Sequence, residues 1–576
     1  MSESHNRSFQ PNIFPAILIL MLIAFVSIVP QAVANRTVVH FVGMVGGWAV
    51  AFVAAHVWWL IRSGIQGPVR WLVPMLALTA AGVAIALYSG PNLGLRIILH
   101  LLLVTILWTG SAVLTHRLGW STQRAAVILA LILSIGLTAM IRIDGTSADL
   151  WPETSWRWNP TNEQLAAIER AKSVRTAKVE PVAALANDDW PQFRGVAQES
   201  RIVGMKLNTD WEKKPPQELW RRRIGPAWGS CTVVGERLFT QEQRGPREAV
   251  VCLNTATGEE LWSHETVARF EEAISGVGPR GTPTYADGFV YAFGATGKLC
   301  KLDAVTGKLM WEIDAPAVAE SKPPSQFWGY ASSPYVANGL AIVFLSGGPG
   351  KGTAAFQIRD GSLAWVAGDG RHGYSTAHKT KIAGVEQLLM SSDIGLESHD
   401  PISGQRLWIH RWPIRANRST QPILLGNDEL LLTTGYSEGT QKLKIAKSES
   451  GWNVTVVWQT KTLRPYYNDA VFHNGWLFGF DDSRFVCLDP MTGKQKWNAG
   501  AVHGFGQVLL LADSGMLVVQ SENGKVHLVE ANGDEYVPVA TLPAFTRKTW
   551  NHPVIARGKL FVRNGEEIAC FDVSMK

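Results

Sequence analysis

The sequence predicts an eight-bladed all-β propeller preceded by an α-helical membrane domain of about five transmembrane helices. Three observations carry this prediction. Five long apolar runs crowd into the first 142 residues, a turn-and-tryptophan motif recurs through the C-terminal part, and the repeat opens with one strand and closes with three.

The apolar runs lie at about 13–33, 38–61, 70–89, 97–115 and 124–142. Each approaches the ~20 residues that a helix needs to cross ~30 Å of hydrocarbon. Lipid offers no partner to an open backbone, so runs this apolar are helical. Residues 1–142 hold eight arginines, no lysine and one acid, Glu3, whereas the whole 576-residue chain nets only +6. Basic character that sits among apolar runs argues against a nucleic-acid binder. Arg7, Arg62, Arg70, Arg117 and Arg124 fall on one side of the spans, and Arg36 and Arg96 on the other. That bias sets the N-terminus inside and predicts an inner-membrane, multi-pass protein whose C-terminal part faces the periplasmic side. Ala32-Val33-Ala34 resembles a signal-peptidase site, but a weakly basic start and immediate further spans favour a retained helix. Apart from arginines at the ends of the runs, only His40, His56 and His100 are ionisable within them, a set too sparse for a pump or transporter.

Residues 143–188 read as a linker, broken by Pro152 and Pro160, with one short helix from Asn162 to about Ala177 capped by Asn159 or Thr161. From 189 to 576 the chain repeats. Cys252-Leu-Asn-Thr-Ala-Thr-Gly-Glu-Glu-Leu-Trp262 is echoed at Lys301–Trp311, Ser398–Trp408 and Cys487–Trp497, and in shortened form at Gln357–Trp365. Each copy is a strand, an Asp or Asn that bonds its own backbone, a Gly turn and a second strand ending in Trp. Strand ends at Trp220, Trp262, Trp311, Trp365, Trp408, Trp458 and Trp497, with a Trp-less one near Val537, make eight at intervals of roughly 39–54 residues. That period is the signature of four-stranded blades. Strand 218–224 then completes the final blade and removes two exposed edges. Cys231, Cys252, Cys300, Cys487 and Cys570 are dispersed and show neither metal nor haem spacing, so buried packing is their expected role.

A propeller's inner strands line its axis, so a site is read across blades. One shared inner position holds Ser230, Thr282, Ser333, His378, Gln421, Asp469, Gln507 and His552, all polar where blade interiors are apolar. Just ahead stand Trp228, Arg280, Trp328, Tyr330, Tyr467, Asn468, Phe505, Trp550 and Asn551. This set allows either a pocket for a flat polar ligand or a channel whose polar groups satisfy one another. Within a pocket, His378 or His552 would serve as base with Asp469 beside it, giving catalytic candidates Asp469, His552 and His378. Arg280, Trp328, Gln421, Asn468, Gln507, Trp550 and Asn551 are the candidate cofactor contacts. Alternatively, Asp469, Asn468 and Gln421 could offer oxygens to calcium, although the spacing defines no metal site.

The repeats resemble the pyrroloquinoline quinone (PQQ)-binding-like β-propeller family, which includes quinoprotein alcohol dehydrogenases and the outer-membrane assembly scaffold lipoprotein. A closer likeness is to a membrane-anchored bacterial branch, common in planctomycetes, whose propeller opens with Trp-Pro-Gln-Phe-Arg-Gly, here Trp190–Gly195. Further matching stretches are Gly278–Pro283, Gly329–Pro334, Pro465–Asp469 and Lys548–Pro553. The resemblance implies an axial site that in the dehydrogenases holds PQQ, with calcium beside it and an aspartate base; the scaffolds hold no cofactor. The dehydrogenases' adjacent cysteine pair is absent here, and Asp469 is the acidic candidate. The expected function is therefore a binding or scaffold module for an envelope protein or polysaccharide. The alternative is a PQQ-dependent oxidoreductase of alcohols or sugars that passes electrons to the membrane.

Overall fold

The computed structural model describes residues 13–575 except 34–37, 63–68, 87–92, 148–151, 173–181, 183, 273, 323–327 and 427. Ala34 of the candidate cleavage site and the end of the expected linker helix lie outside the described residues. The chain forms two compact units, 1–160 with 271–276, and 161–270 with 277–576.

In the first unit, apolar helices run at Phe14–Val33, Val38–Val57, Val69–Ala86, Leu93–Thr115 and Trp120–Met140. Among the described residues, three stretches, Val42–Ile61, Leu93–Thr115 and Ser121–Met140, are long and apolar enough to cross a membrane, and Phe14–Ile28 and Arg70–Val83 are shorter apolar helices. Trp58, Trp59 and Trp108 pack into the buried centre of this bundle. Arg96, expected in a loop, lies in the first turn of Leu93–Thr115. Its guanidinium donates to the Thr138 carbonyl at 2.7 Å, and the neighbouring His100 Nδ1 pairs with the Thr138 hydroxyl at 3.0 Å. A polar contact of this kind joins two helices where lipid offers no alternative partner. Directly after the last helix, Ile141–Thr146 pairs with Pro152–Trp156 as a hairpin that the linker's composition did not signal.

The second unit begins with helix Asn162–Lys172. Thr161 caps it: its hydroxyl accepts from the Gln164 N–H at 3.1 Å, while Gln164 Oε1 accepts from the Thr161 N–H at 2.8 Å. This reciprocal pair satisfies two otherwise orphaned donors. The helix docks on the first blade, where Arg170 pairs with the buried Glu242 at 3.2 Å.

Eight four-stranded antiparallel sheets follow. The inner strands of blades 1–8 are Thr232–Val234, Thr284–Ala286, Tyr335–Ala337, His378–Ile382, Ile423–Gly426, Val471–His473, Gln507–Leu511 and Val554–Ala556. Blade 8 is completed by Gln217–Arg223, which pairs antiparallel with Glu567–Asp572 and joins the two ends of the repeat. Blade 7 also carries a short parallel strand, Arg201–Ile202, alongside Gln507–Leu511.

The repeated motif owes its residues to contacts between blades. The indole N–H of Trp262 donates to the Ala304 carbonyl of the next blade at 3.2 Å, and that of Trp311 to the Ile358 carbonyl at 3.0 Å. Each ring lies over the turn glycine of its neighbour. At Gly307, with φ +71°, a Cβ would stand 2.6 Å from the Trp262 ring. Glycine is required there both by the left-handed backbone and by the missing space. The turn acid completes the unit: Asp400 Oδ1 accepts from the N–H groups of Ile402 and Ser403, which hold its carboxyl below the ordinary range. All five cysteines are free and buried.

Candidate functional site

All eight side chains at the shared inner position are at most 5% exposed. Most of them bond to the adjacent blade. Thr282 Oγ1 accepts from the Ser230 N–H at 2.9 Å and Ser333 Oγ from the Thr282 N–H at 3.0 Å, while Thr376 Oγ1, two residues ahead of His378, accepts from the Ser333 N–H at 2.9 Å. Asp469 Oδ1 accepts from the Gln421 N–H at 2.7 Å, and Gln507 Nε2 donates to the Trp550 carbonyl at 3.0 Å. The Gln421 amide, oriented with its nitrogen toward the carbonyl, pairs with both backbone groups of Thr376 at 2.6 and 2.8 Å. Ser230 Oγ donates to the His552 carbonyl at 2.6 Å, and Asn551 Nδ2 to the Gly229 carbonyl at 2.6 Å, closing the seam between blades 8 and 1. Polar residues at this position thus serve as inter-blade ties. Proline at the next position and short inner strands leave backbone groups that these side chains satisfy.

The inner strands all run in one direction, so residues preceding the shared position gather at one end of the axis and residues following it at the other. The second end is closed by the segment 190–202. Trp190 exchanges backbone bonds with Val233 at 2.8 Å, Tyr285 N–H donates to the Pro191 carbonyl at 2.8 Å, and Leu510 N–H donates to the Ser200 carbonyl at 2.8 Å. Gln198 Nε2 donates to the Ala377 carbonyl at 2.9 Å. This plug bends sharply: Arg194, Gln198 and Ser200 take positive φ values of 65°, 58° and 52°. Gly195 follows at φ +82°, its Cα facing the Trp190 ring.

Arg194 is the plug's central side chain, 3% exposed. Its Nε lies 3.3 Å from Asp469 Oδ2 and donates to Ser200 Oγ at 2.9 Å, and Ser200 Oγ stands 2.8 Å from His552 Nε2. Because Arg194 can only donate, Ser200 accepts from it and donates onward to His552. His552 Nδ1 donates to the Pro553 carbonyl at 2.7 Å. Burial pushes the His552 and His378 imidazoles down to about 3, and the Arg194 charge adds to this for both. Burial raises the Asp469 carboxyl, opposed by the Arg194 charge and the Gln421 N–H, and burial lowers the Arg194 guanidinium. Of the three catalytic candidates, Asp469 meets the Arg194 guanidinium directly and His552 meets it through Ser200, while the buried His378 ring feels the same charge without a hydrogen-bond partner of its own.

Of the other candidates, Gln421 and Gln507 belong to the inter-blade ties, and Arg280, Trp328, Asn468, Trp550 and Asn551 gather at the opposite end. Trp228 and Trp550 have ring centres 4.9 Å apart, with Tyr467 5.7 Å from Trp550. Lys548 Nζ stands 4.4 Å from the Trp550 ring centre and 5.1 Å from that of Trp228. Trp328 meets Tyr374 edge-on at 5.4 Å, and the Arg280 guanidinium lies 4.6 Å over Phe270 while donating to the Gly278 carbonyl at 2.5 Å. Trp550 Nε1 also donates to Glu522 at 2.9 Å. Asn468 Oδ1 accepts from the Tyr466 N–H at 3.1 Å, and its Nδ2 is buried without a partner, as is Asn551 Oδ1. Near Arg280, burial pushes the Glu248 carboxyl up to about 7 against the Ala295 N–H and the Arg280 charge. Arg194, Ser200 and Glu248 were not singled out as site residues. The first two occupy the opening motif without any spacing that ties them to the axis, and Glu248 sits in an ordinary strand.

A PQQ–calcium pair can be tested against these groups. The aromatic rings, with Lys548 at the paired indoles and Arg280 over Phe270, suit a planar polyanion. Calcium does not fit at Asp469, whose oxygens face Arg194 and the Gln421 N–H, and among the described residues no three His, Cys, Asp or Glu side chains are grouped to hold a metal.

These features define an eight-bladed β-propeller whose blades are tied by repeated turn-and-tryptophan contacts. Residues 247–499 match the family described as outer membrane protein assembly factor BamB. A polyvinylalcohol dehydrogenase of a Sphingopyxis species is 36% identical over 126 residues, 22% of this chain and 16% of that protein. The alignment thus spans under a fifth of that relative's length. A europium-containing methanol dehydrogenase shares the fold at a TM-score of 0.52 and 13% identity, covering 67% of this chain and 98% of that one. BamB from Moraxella catarrhalis aligns with a TM-score of 0.45 and 13% identity over 63% of this chain and 98% of that one.

Proposed function

We propose that the chain is a membrane-anchored, quinone-linked oxidoreductase of alcohol or sugar hydroxyls, the second of the two functions expected from the sequence. The mouth of the propeller carries this reading: paired indoles with Lys548 beside them, and Arg280 over Phe270, offer rings and positive charge to a flat, multiply anionic cofactor. Local likeness to polyvinylalcohol dehydrogenase supports it. Trp228 and Trp550 would stack on a bound quinone, and Arg280 and Lys548 would neutralise its carboxylates. The quinone supplies the two-electron acceptor that oxidation of a hydroxyl requires. Glu248, with a carboxyl near neutrality beside Arg280, is the group here best matched to holding the hydroxyl proton. The helical region, 1–142, would anchor the propeller to the inner membrane through the connector 143–188, with 189–576 on the extracytoplasmic side, as the arginine distribution favours.

Full-length protein incubated with PQQ should retain it after gel filtration and reduce a dye in the presence of an alcohol or sugar. Trp550→Ala should lose most of the retained quinone. No retention and no turnover across a broad substrate panel would refute the proposal. The match to the BamB assembly-factor family favours a second reading, a cofactor-free module that binds an envelope protein or polysaccharide. Reproducible recovery of one partner by a quinone-free protein would establish it.

A further inference from the structure

At the plugged end, away from the aromatic mouth, a cleft of about 380 Å³ opens between the plug and the inner strands of blades 4, 5 and 6. Its size lies toward the lower end of the ~300–1,000 Å³ usual for small-molecule sites. His378 and Thr380–Ile382 of blade 4, the inner strand of blade 5 and Ala470 and Phe472 of blade 6 form its walls. Arg194 and His378 belong to this lining and are 3% and 1% exposed.

These two side chains hold hydrogen-bonding capacity that the protein does not use. Arg194 spends its Nε on Ser200 and Asp469, whereas its Nη1 is buried without a partner. Both ring nitrogens of His378 are also buried and unpartnered. Buried polar atoms without partners are costly and rare, so these point to something that completes them. With its pKa lowered to about 3 by burial and the Arg194 charge, the His378 ring is neutral, with one N–H and one lone pair. The site therefore presents donors from Arg194 and His378 and an acceptor from His378.

Chemistry selects the ligand. An ionised carboxylate would satisfy the donors but leave the His378 lone pair facing an acceptor. A hydroxyl both donates and accepts and meets the two needs together. Charge agrees, since the lining contributes Arg194, Arg201 and Lys381 against Glu199, Asp428 and Glu429, which leaves no net charge to recruit an ion. Phe472 and Ile382 offer apolar surface for the C–H face of a ring. We propose that this cleft is a binding site for a neutral polyhydroxylated ring, a saccharide unit, seated on Arg194 and His378. It is separate from the mouth and does not depend on the oxidoreductase reading.

The test is calorimetry, or saturation-transfer NMR, on full-length protein in detergent. Glucose, N-acetylglucosamine and cellobiose serve as probes, and acetate as the anionic comparison. At least one saccharide should bind saturably, with or without added PQQ, and acetate should not compete. Tighter binding of cellobiose than of glucose would assign the site to a polymer chain, and the reverse to a free sugar. Thr380→Trp, which fills the cleft from its wall, should weaken binding at least tenfold with an unchanged unfolding temperature. Should that variant misfold, Phe472→Ala should still weaken binding severalfold. No saturable binding by any of the three sugars, equal competition by acetate, or affinity unchanged in the variants that fold would overturn the proposal.

Discussion

Arg194→Met probes how the propeller closes its axis. Met keeps much of the side-chain volume but removes the charge paired with Asp469, a carboxylate only 5% exposed. Breaking a buried pair from one side costs about 3–5 kcal/mol, because the remaining charge keeps its desolvation penalty without its partner. The unit of about 400 residues that contains the propeller has an unfolding entropy near 2.1 cal/mol/K per residue, so the loss corresponds to roughly 4–6 °C. Arg194→Met with Asp469→Asn removes both charges and should recover most of that loss, since the Gln421 N–H keeps an acceptor. The penalty of the single variant should also shrink as the pH falls, because protonation removes the unpaired charge from Asp469. Scanning calorimetry on the detergent-solubilised protein and the three variants, including Asp469→Asn alone, completes the cycle. A single variant within about 0.5 kcal/mol of the native protein, or a double variant no more stable than Arg194→Met, would refute the argument.

Two further outcomes follow from the packing and from the histidines. Gly307→Ala places a Cβ 2.6 Å from the Trp262 ring at φ +71°, and should cost about 2–4 kcal/mol in urea unfolding, while Gly288→Ala, also at positive φ but in open space, should cost about 1–2 kcal/mol. The native pKa values of His378 and His552, about 3, lie below those of the unfolded chain, so the unfolded state binds more protons below pH 6.5. Stability should be fully present above that pH and decline as the pH falls from about 6.5 toward 3, by up to about 1.4 kcal/mol per pH unit for each histidine. Circular dichroism melts of the native protein and of His552→Gln check this, and the variant should show the shallower slope.

The blades could be read from the chain because every copy carries its own local instructions. An Asp or Asn that bonds to the two or three following residues, a glycine in left-handed backbone and a terminal tryptophan recur together, and Gly307 beneath Trp262 shows why the last two cannot be separated. The apolar helices were equally legible, since hydropathy over some twenty residues is a local property. Arg96 was misplaced because its partner, the Thr138 carbonyl, lies on another helix and leaves no mark near residue 96. The site was only half visible. Alignment of the repeats identified the polar inner ring and its aromatic neighbours, but it could not say which of those side chains face an open mouth.

What the sequence determined by itself is therefore the unit and its number: eight similar sheets, the strand that closes them and the apolar helices ahead of them. Only the tertiary structure decided that Asp469, His378 and His552 surround Arg194, and that the aromatic mouth and the plugged cleft lie at opposite ends of one axis. The physical reason is distance along the chain. Arg194 and Ser200 stand 275 and 352 residues before the groups they meet, Asp469 and His552, and nothing local encodes a contact that exists only once the ring has closed.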